Sequence, residues 1–582
     1  MKDFLKNILS SAIGVILAGL MVFGSIFGLV VIAGIANSLF EGQSGIDENS
    51  VLKIKFDYPI YDKPSNDPLI NFSPMGDFGS NTSMHLYKML ESINKAQDNM
   101  NIAGIVLDLQ DFQSPGLASS KEIRDALTTF KESGKFIYSY SNIFSQTAYY
   151  LASVSDSIFM YPTGGMQLSG LSTTVAFFTD AMAKIGIKPE IIRHGKFKAA
   201  IEPFMLTKMS KENREQTEIL LADLWQNMLK DISINRNIKR FELDQIANNM
   251  LISMIPEKSV ESGLIDKLMY PDDFNFFLKQ KIDLEQNEKI NFISLYDITA
   301  KQKKSKNKIA IIYAEGNIDG NKKNIHAGYT KTIKKVLKDD EISAVVFRVN
   351  SPGGSALISD EILTQMNFSK NTKPIVVSMG NYAASGGYYI SCTADKIIAS
   401  PNTITGSIGV FGLFFTAQEL LNDKMKLHFD NVKTNKFSDL GQLNRSLSEE
   451  ERSMIQVSIK NTYNNFITHV SNARDLSLQE VDRIGQGRVW TGIRAKEIGL
   501  VDTMGGLVDA IAVASDLAEI KDFQIIEFPK QKNNIEAFLE DLEQTKILKT
   551  NTVQEIYLKK LLDEFLAMEG VQAWLPIKYE IN

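Results

Sequence analysis

The chain has 582 residues, 44% of them hydrophobic and 23% charged, which is ordinary for a folded protein and too long for one core, so about two to four domains are expected. A net charge of -6 with no basic stripe argues against a nucleic-acid partner. A single cysteine, Cys392, excludes an intrachain disulfide and a thiolate zinc cage; five histidines without an H-E-x-x-H motif give no support to a catalytic metal, and no cofactor is expected.

The N-terminal stretch carries the strongest compositional signal. Residues 7–40 contain no charge, and "AIGVILAGLMVFGSIFGLVVIAGIA" exceeds the roughly 20 apolar residues that cross a bilayer. Lys2 and Lys6 precede this stretch, while Glu41, Asp47 and Glu48 follow it. The positive-inside bias therefore predicts a membrane anchor over residues 8–36, with the N-terminus in the cytoplasm and all that follows residue 41 on the far side. The rival reading, a cleaved signal peptide, would normally have an apolar core of only about 7–15 residues. An uncleaved anchor, 1–45, is the favoured reading.

The remainder repeats itself. "NIAGIVLDLQDFQSPGLASSKEI" (101–123) matches "EISAVVFRVNSPGGSALISDEI" (341–362), and "KFIYSYSNIFSQTAYYLASVSDSIFMYP" (135–162) matches "KPIVVSMGNYAASGGYYISCTADKIIASP" (373–401). "MSKENREQ" (209–216) then pairs with "LSEEERSM" (447–454), and "ESGLIDKL" (261–268) with "KEIGLVDTM" (496–504). An offset that stays at about 240 marks two copies of one domain, 46–300 and 301–530. Their boundary falls near the charged run "TAKQKKSKNK" (299–308). Runs such as "AVVFRVN", "PIVVSM" and "KIIASP" predict buried parallel strands. "SALISDEILTQMNFS" and "SEEERSMIQVSIKNTYNNFITHVSNA" predict amphipathic helices. The alternation implies an α/β fold with crossovers, twice over. Residues 531–582 form a C-terminal extension; 533–569 reads as an amphipathic helix suited to docking or oligomerisation.

"NYAASGGYYISCTAD" (381–395) puts Ser385 at a strand-to-helix corner, as a nucleophile would sit, yet no histidine lies within about forty residues of it. Comparison of the copies supplies a base. Gln146 stands opposite Ser385, and "SPGL" (114–117) opposite the Ser-Pro-Gly-Gly turn 351–354, so the first copy has lost the nucleophile and the second glycine of the turn. About fifty residues on, "RHGKFKAAIEPF" (193–204) faces "KTNKFSDLGQLN" (433–444), with Lys198 opposite Ser438. Each copy keeps what the other lacks, so Lys198 is the candidate base for Ser385. Nearby Lys196 has a counterpart in Lys436, which points to structural work. A free lysine, pKa near 10.4, is charged and no base, but apolar burial can lower that value by about 3–5. The amide of Gly386, at the start of the following helix, is a candidate oxyanion donor, helped by the helix dipole. The turn Gly353–Gly354 offers a second amide and close approach. Tyr388 and Tyr389 recur as "YY" at 149–150 and read as packing residues, and Cys392 as an inert one.

"NSPGGSALISDEI", "NYAASGGYYIS", "NTITGSIGVFG" and "GKFKAAIEPF", in their positions along the chain, resemble the long, duplicated bacterial form of the signal peptide peptidase A (protease IV) family, with a ClpP/crotonase-like fold. The resemblance covers nearly the whole chain. It implies a membrane-anchored serine endopeptidase with a Ser385–Lys198 dyad and a hydroxyl, Ser407 of "TGSIG", that orients the lysine. It also implies a homotetramer in the bacterial inner membrane, its catalytic domains periplasmic, degrading hydrophobic signal-peptide remnants. Two other readings are a crotonase-type acyl-CoA enzyme, whose bases are usually carboxylates, and a non-catalytic membrane scaffold.

Overall fold

The β-branched runs assemble into two mainly parallel sheets, one from each copy, joined by a third sheet that belongs to both. The computed structural model describes residues 14, 21, 46–63, 85–249, 255–298, 305–321, 324–368, 372–530 and 570–574. Among these, no helix is long and apolar enough to cross a membrane. The anchor expected over 8–36 lies, apart from Gly14 and Met21, outside the described residues, as does the helix expected over 533–569.

In the first copy, β1 (Ser50–Lys55), β2 (Ile102–Asp108), β3 (Phe136–Phe144), β4 (Ser157–Met166), β6 (Lys267–Leu268) and β7 (Phe292–Ile293) stack in the order β6-β4-β3-β2-β1-β7, every pair parallel. β5 (Lys188–His194) leaves this sheet. The second copy begins with β8 (Lys308–Glu315), β9 (Ile342–Ser351) and the short β10 (Gly353–Ser355). It continues through β11 (Ile375–Ala384), β12 (Lys396–Ala399), β13 (Ile404–Gly406) and β14 (Val410–Thr416) to β15 (Val489–Thr491), β16 (Thr503–Met504) and β17 (Gln524–Phe528). Its sheet runs β15-β13-β11-β9-β8-β17, with β12 beside β11 and β16 beside β12. Only the β13–β15 pair is antiparallel. Crossover helices Leu117–Lys131 and Ala356–Asn367 connect β2 to β3 and β9 to β11, as parallel pairing requires.

The duplication extends to single hydrogen bonds. Helices Lys211–Arg236 and Glu449–Arg474 have the same length, start on the caps Ser210 and Ser448, and end on left-handed Asn237 (φ 53°) and Asp475 (φ 52°). In their last turns Arg236 and Arg474 pair with Asp266 and Asp502, each at 2.9 Å. Those carboxylates also accept the amides of Ile158 and Ile397. The hydroxyls of Tyr149 and Tyr388 donate to the carbonyls of Leu264 and Leu500. That equivalence sets the register in which Gln146 stands opposite Ser385.

Two features bind the copies together. In the third sheet β5 of the first copy pairs antiparallel with β14 of the second, from His194 opposite Val410 to Lys188 opposite Thr416. The first copy's core, built on Leu52, Ile54, Ile105 and Leu107, takes in Ala384, Ile404, Phe411 and Val489 from the second. Beneath this seam Arg348 of β9, fully buried, reaches Asp62 at 2.8 Å and Glu122 at 2.7 Å in the first copy. Glu122 also accepts the amide of Leu507 at 2.7 Å. The remaining strand of the third sheet, β18 (Gly570–Trp574), lies within the span expected as a helical extension and is inserted between β10 and β14.

Removing one member of a buried ion cluster leaves the others charged and unpaired. Arg348→Ala is therefore expected to lower stability by about 3–5 kcal/mol, read as a lower urea midpoint. A midpoint equal to wild type would mean the two copies do not depend on this cluster.

Candidate active site

Ser385 sits where β11 stops. Ala384, the last strand residue, is paired with Gly406 of β13, and the Ser385 amide donates to the Gly406 carbonyl at 2.8 Å. The next four residues, Gly386–Tyr389, form one helical turn closed by the Tyr389 amide on the Ser385 carbonyl. Ser385 itself has φ 55° and ψ -114°, a conformation L residues rarely adopt and one that costs about 1–3 kcal/mol. The corner has the strained strand-to-helix character of a nucleophile turn although the sequence lacks G-x-S-x-G. With only one turn of helix, the dipole expected to help the Gly386 amide is small.

Lys198 arrives from the other copy. It lies four residues beyond β5, just before the short turn Ala199–Ile201. The pairing of β5 with β14 carries it to the serine, since Ser407 lies three residues before β14. Lys198 Nζ is 2.6 Å from Ser385 Oγ and 3.1 Å from both the hydroxyl and the carbonyl oxygen of Ser407. All three side chains are 0% exposed. None of these neighbours is charged, so burial holds the lysine well below its ordinary value of 10.5. Ser407 is fixed by its own left-handed φ of 51° and by a hydrogen bond that its backbone amide donates to the Arg488 carbonyl at 2.7 Å.

A loop the sequence reading did not single out packs over the lysine. Gly487, at φ 81°, approaches so closely that a methyl group there would stand 2.6 Å from the Lys198 Cβ and amide nitrogen. The Gly487 amide donates to the Ile408 carbonyl, and the Phe197 amide donates to the Gln486 carbonyl. The available signal was "GQGR" (485–488), a turn-forming run where the first copy reads "ANNM" (247–250).

The candidate oxyanion glycines meet at the same place. The Gly386 nitrogen is 2.7 Å from where a Gly353 Cβ would stand, and the Gly354 nitrogen is 3.1 Å from where a Gly386 Cβ would stand. Gly353 and Gly354 have φ 104° and 149°, open to glycine alone. The Gly353 amide already donates to Ser351 Oγ at 3.2 Å, which leaves Gly354 and Gly386 as the candidate donors. Elsewhere, the counterparts of the site do other work. Gln146 bonds the backbone of Ser169 and Gly170, while Ser438 is exposed and bonds Asn435. Lys196 and Lys436 each lie over the ring of the following phenylalanine, at 5.3 and 5.2 Å, matching their structural reading. Tyr388 and Tyr389 are buried, as is Cys392, whose thiol meets the Tyr389 carbonyl.

Comparison with known proteins matches the model of peptidase family S49 at residues 129–285 and again at 367–521. Protease 4 of Salmonella typhi is 34% identical over 525 residues, covering 87% of this chain and 85% of its own. Protease 4 of Haemophilus influenzae is 34% identical over 75% of each chain. The chloroplastic serine protease SPPA of Arabidopsis thaliana is 31% identical over 85% of this chain and 74% of its own. Among solved structures, a ClpP1 mutant from Listeria monocytogenes is similar to 34% of this chain and 94% of its own, at 14% identity and a TM-score of 0.24. The chain thus belongs to peptidase family S49, with the serine proteases called Protease 4 and SPPA, and it carries the family's region twice.

Proposed function

We propose that the chain is a membrane-anchored serine endopeptidase whose nucleophile, Ser385, is activated by Lys198 and whose substrates are short hydrophobic peptides, remnant signal peptides among them. The 2.6 Å contact between an uncompensated, fully buried lysine and a strained serine carries the reading. A neutral amine has two N–H groups and one lone pair. The two oxygens of Ser407 take the former, which leaves the lone pair to accept the Ser385 O–H. As Ser385 Oγ bonds to the substrate carbonyl carbon, Lys198 takes its proton and then delivers it to the departing amine. The amides of Gly354 and Gly386 stabilise the oxyanion, each worth about 100- to 1000-fold in rate. Water then hydrolyses the acyl-serine with Lys198 again as base.

The uncharged stretch 7–40 supports anchoring through residues 8–36. The N-terminus would then face the cytoplasm and the two copies the periplasm, at the bacterial inner membrane. Assembly as a homotetramer rests on the family resemblance.

Active-site labelling with a fluorophosphonate tests the nucleophile: wild type is labelled and Ser385→Ala is not, and an unlabelled wild type sinks the proposal. Lys198→Ala should lower kcat/KM by about 100- to 10,000-fold. Because the base must be uncharged, wild-type kcat/KM should rise with pH along a limb whose apparent pKa lies well below 10.5. A rate still climbing past pH 10.5 would exclude a desolvated lysine. Gly487→Ala, which forces a methyl group against the Lys198 backbone, should reduce kcat at least tenfold (roughly 1.4 kcal/mol) with KM little changed. Removal of residues 1–45 should move the protein from the membrane fraction to the soluble one; retention in the membrane would assign the anchor elsewhere.

A further inference from the structure

We infer that Gln216 is a positioning residue of the active site: its side-chain amide ties the peptide bond preceding Lys198 to the strand that holds Ser385 and Ser407 in place. The inference rests on the dyad reading above and adds to it the device that keeps base and nucleophile in register.

Gln216 lies in the second turn of helix Lys211–Arg236, in the first copy, and is buried. Its Nε2 donates at 3.1 Å to the Phe197 carbonyl, which belongs to the peptide bond joining Phe197 to Lys198. Its Oε1 accepts the amide of Val489, in the second copy, at 3.2 Å. Val489 stands opposite Gly406 in the β13–β15 pair. The Gly406 carbonyl holds the Ser385 amide, and the carbonyl of Arg488, one residue before Val489, holds the Ser407 amide. One side chain therefore reaches both sides of the 2.6 Å contact between Lys198 and Ser385.

The direction of the Gln216 amide is forced. Its nitrogen also donates to Asn213 Oδ1 at 3.3 Å, and Asn213 Nδ2 donates in turn to Glu202 at 2.9 Å. Glu202, buried four residues beyond Lys198, also accepts the amide and the hydroxyl of Ser210. A flipped Gln216 amide would aim its oxygen at two acceptors and its nitrogen at the Val489 N–H, losing every one of these bonds. The chain thus closes a ring around the lysine, from Phe197 through Glu202, Asn213 and Gln216 back to Phe197.

The second copy separates this device from the shared framework. There the matching helix puts Met454 opposite Gln216, 51% exposed. The amide is kept only in the copy that carries Lys198, whereas the Arg–Asp pairs at the helix ends are kept in both. Plain docking of the helix on the second copy falls to Asp223, two turns further along the same face, which accepts from Arg494 at 2.8 Å and from Thr491 at 3.2 Å. Without Gln216 the Phe197 carbonyl and the Val489 amide lose a partner in a buried place, and the backbone there shifts until water or another group replaces it.

Kinetics of the detergent-solubilised full chain on a quenched-fluorescent apolar peptide test this, with Gln216→Met, Gln216→Asn and the docking control Asp223→Ala. Both Gln216 variants are expected to lower kcat by about 10- to 100-fold, with KM within about twofold of wild type. Because water then reaches the lysine, the rising limb of kcat/KM should move to higher pH, toward the ordinary lysine value of 10.5. Asp223→Ala should leave kcat and the limb unchanged, whatever it does to the urea midpoint. The asparagine variant, one methylene too short to span both partners, keeps the test decisive if the methionine variant does not fold. Wild-type kcat and limb in a folded Gln216 variant that takes up the fluorophosphonate would overturn the inference and leave the dyad standing. Equal losses in Asp223→Ala would reduce Gln216 to helix docking and overturn it as well. A wild type that takes up no label would overturn both readings.

Discussion

An amine can act as a base near neutral pH only if water and counter-charges are kept from it. Lys198 meets this condition at the junction of the two copies, with hydroxyl and carbonyl oxygens alone around its nitrogen. Much of the surrounding structure serves that exclusion. β5 and β14 pair across the copies to bring the lysine in, Gly487 lets a loop close directly on its backbone, and Ser407 is held at a left-handed φ beneath it. A site assembled this way is bound to the integrity of the seam. The buried cluster of Arg348, Asp62 and Glu122 sits at that seam, where one guanidinium holds two carboxylates rather than charge being excluded.

Duplication explains the division of labour. Each copy retains the framework bonds, down to the Arg236–Asp266 and Arg474–Asp502 pairs, because both must still fold. The candidate catalytic groups are each kept only once. Where the second copy has Ser385, the first has Gln146, whose amide stitches the backbone of a neighbouring loop. The turn that matches Gly353 and Gly354 receives Asn381, whose side chain bonds the backbone of Pro115, Ala118 and Ser119. The turn that matches the candidate oxyanion glycines thus serves in the first copy as a docking socket for the second. In the third sheet β18 lies between β10 and β14, paired antiparallel with both.

Much of the fold was legible in the chain because its signals are local. Buried strands such as 375–384 and 342–351 announce themselves as β-branched runs, and helix 449–474 by its serine cap and apolar spacing. Ser385 and Lys198 were legible for a different reason: the repeat is its own alignment, and reciprocal loss singles out the residues that only one copy keeps. The Gly487 loop was missed because a turn-forming tripeptide looks the same wherever it packs. β18 was missed because "GVQAW" is too short to carry a period and has no counterpart in the first copy.

By itself the sequence determined the α/β class, the duplication, the uncharged N-terminal stretch and the choice of Ser385 and Lys198 as candidate nucleophile and base, since each follows from patterns along the chain. Only the tertiary structure decided that both groups meet within one chain, that the Gly353 amide is already taken, and that β18 pairs between β10 and β14. Those outcomes depend on pairing between segments hundreds of residues apart, and strand pairing is chosen by edges and register, which have no signature in the local order of residues.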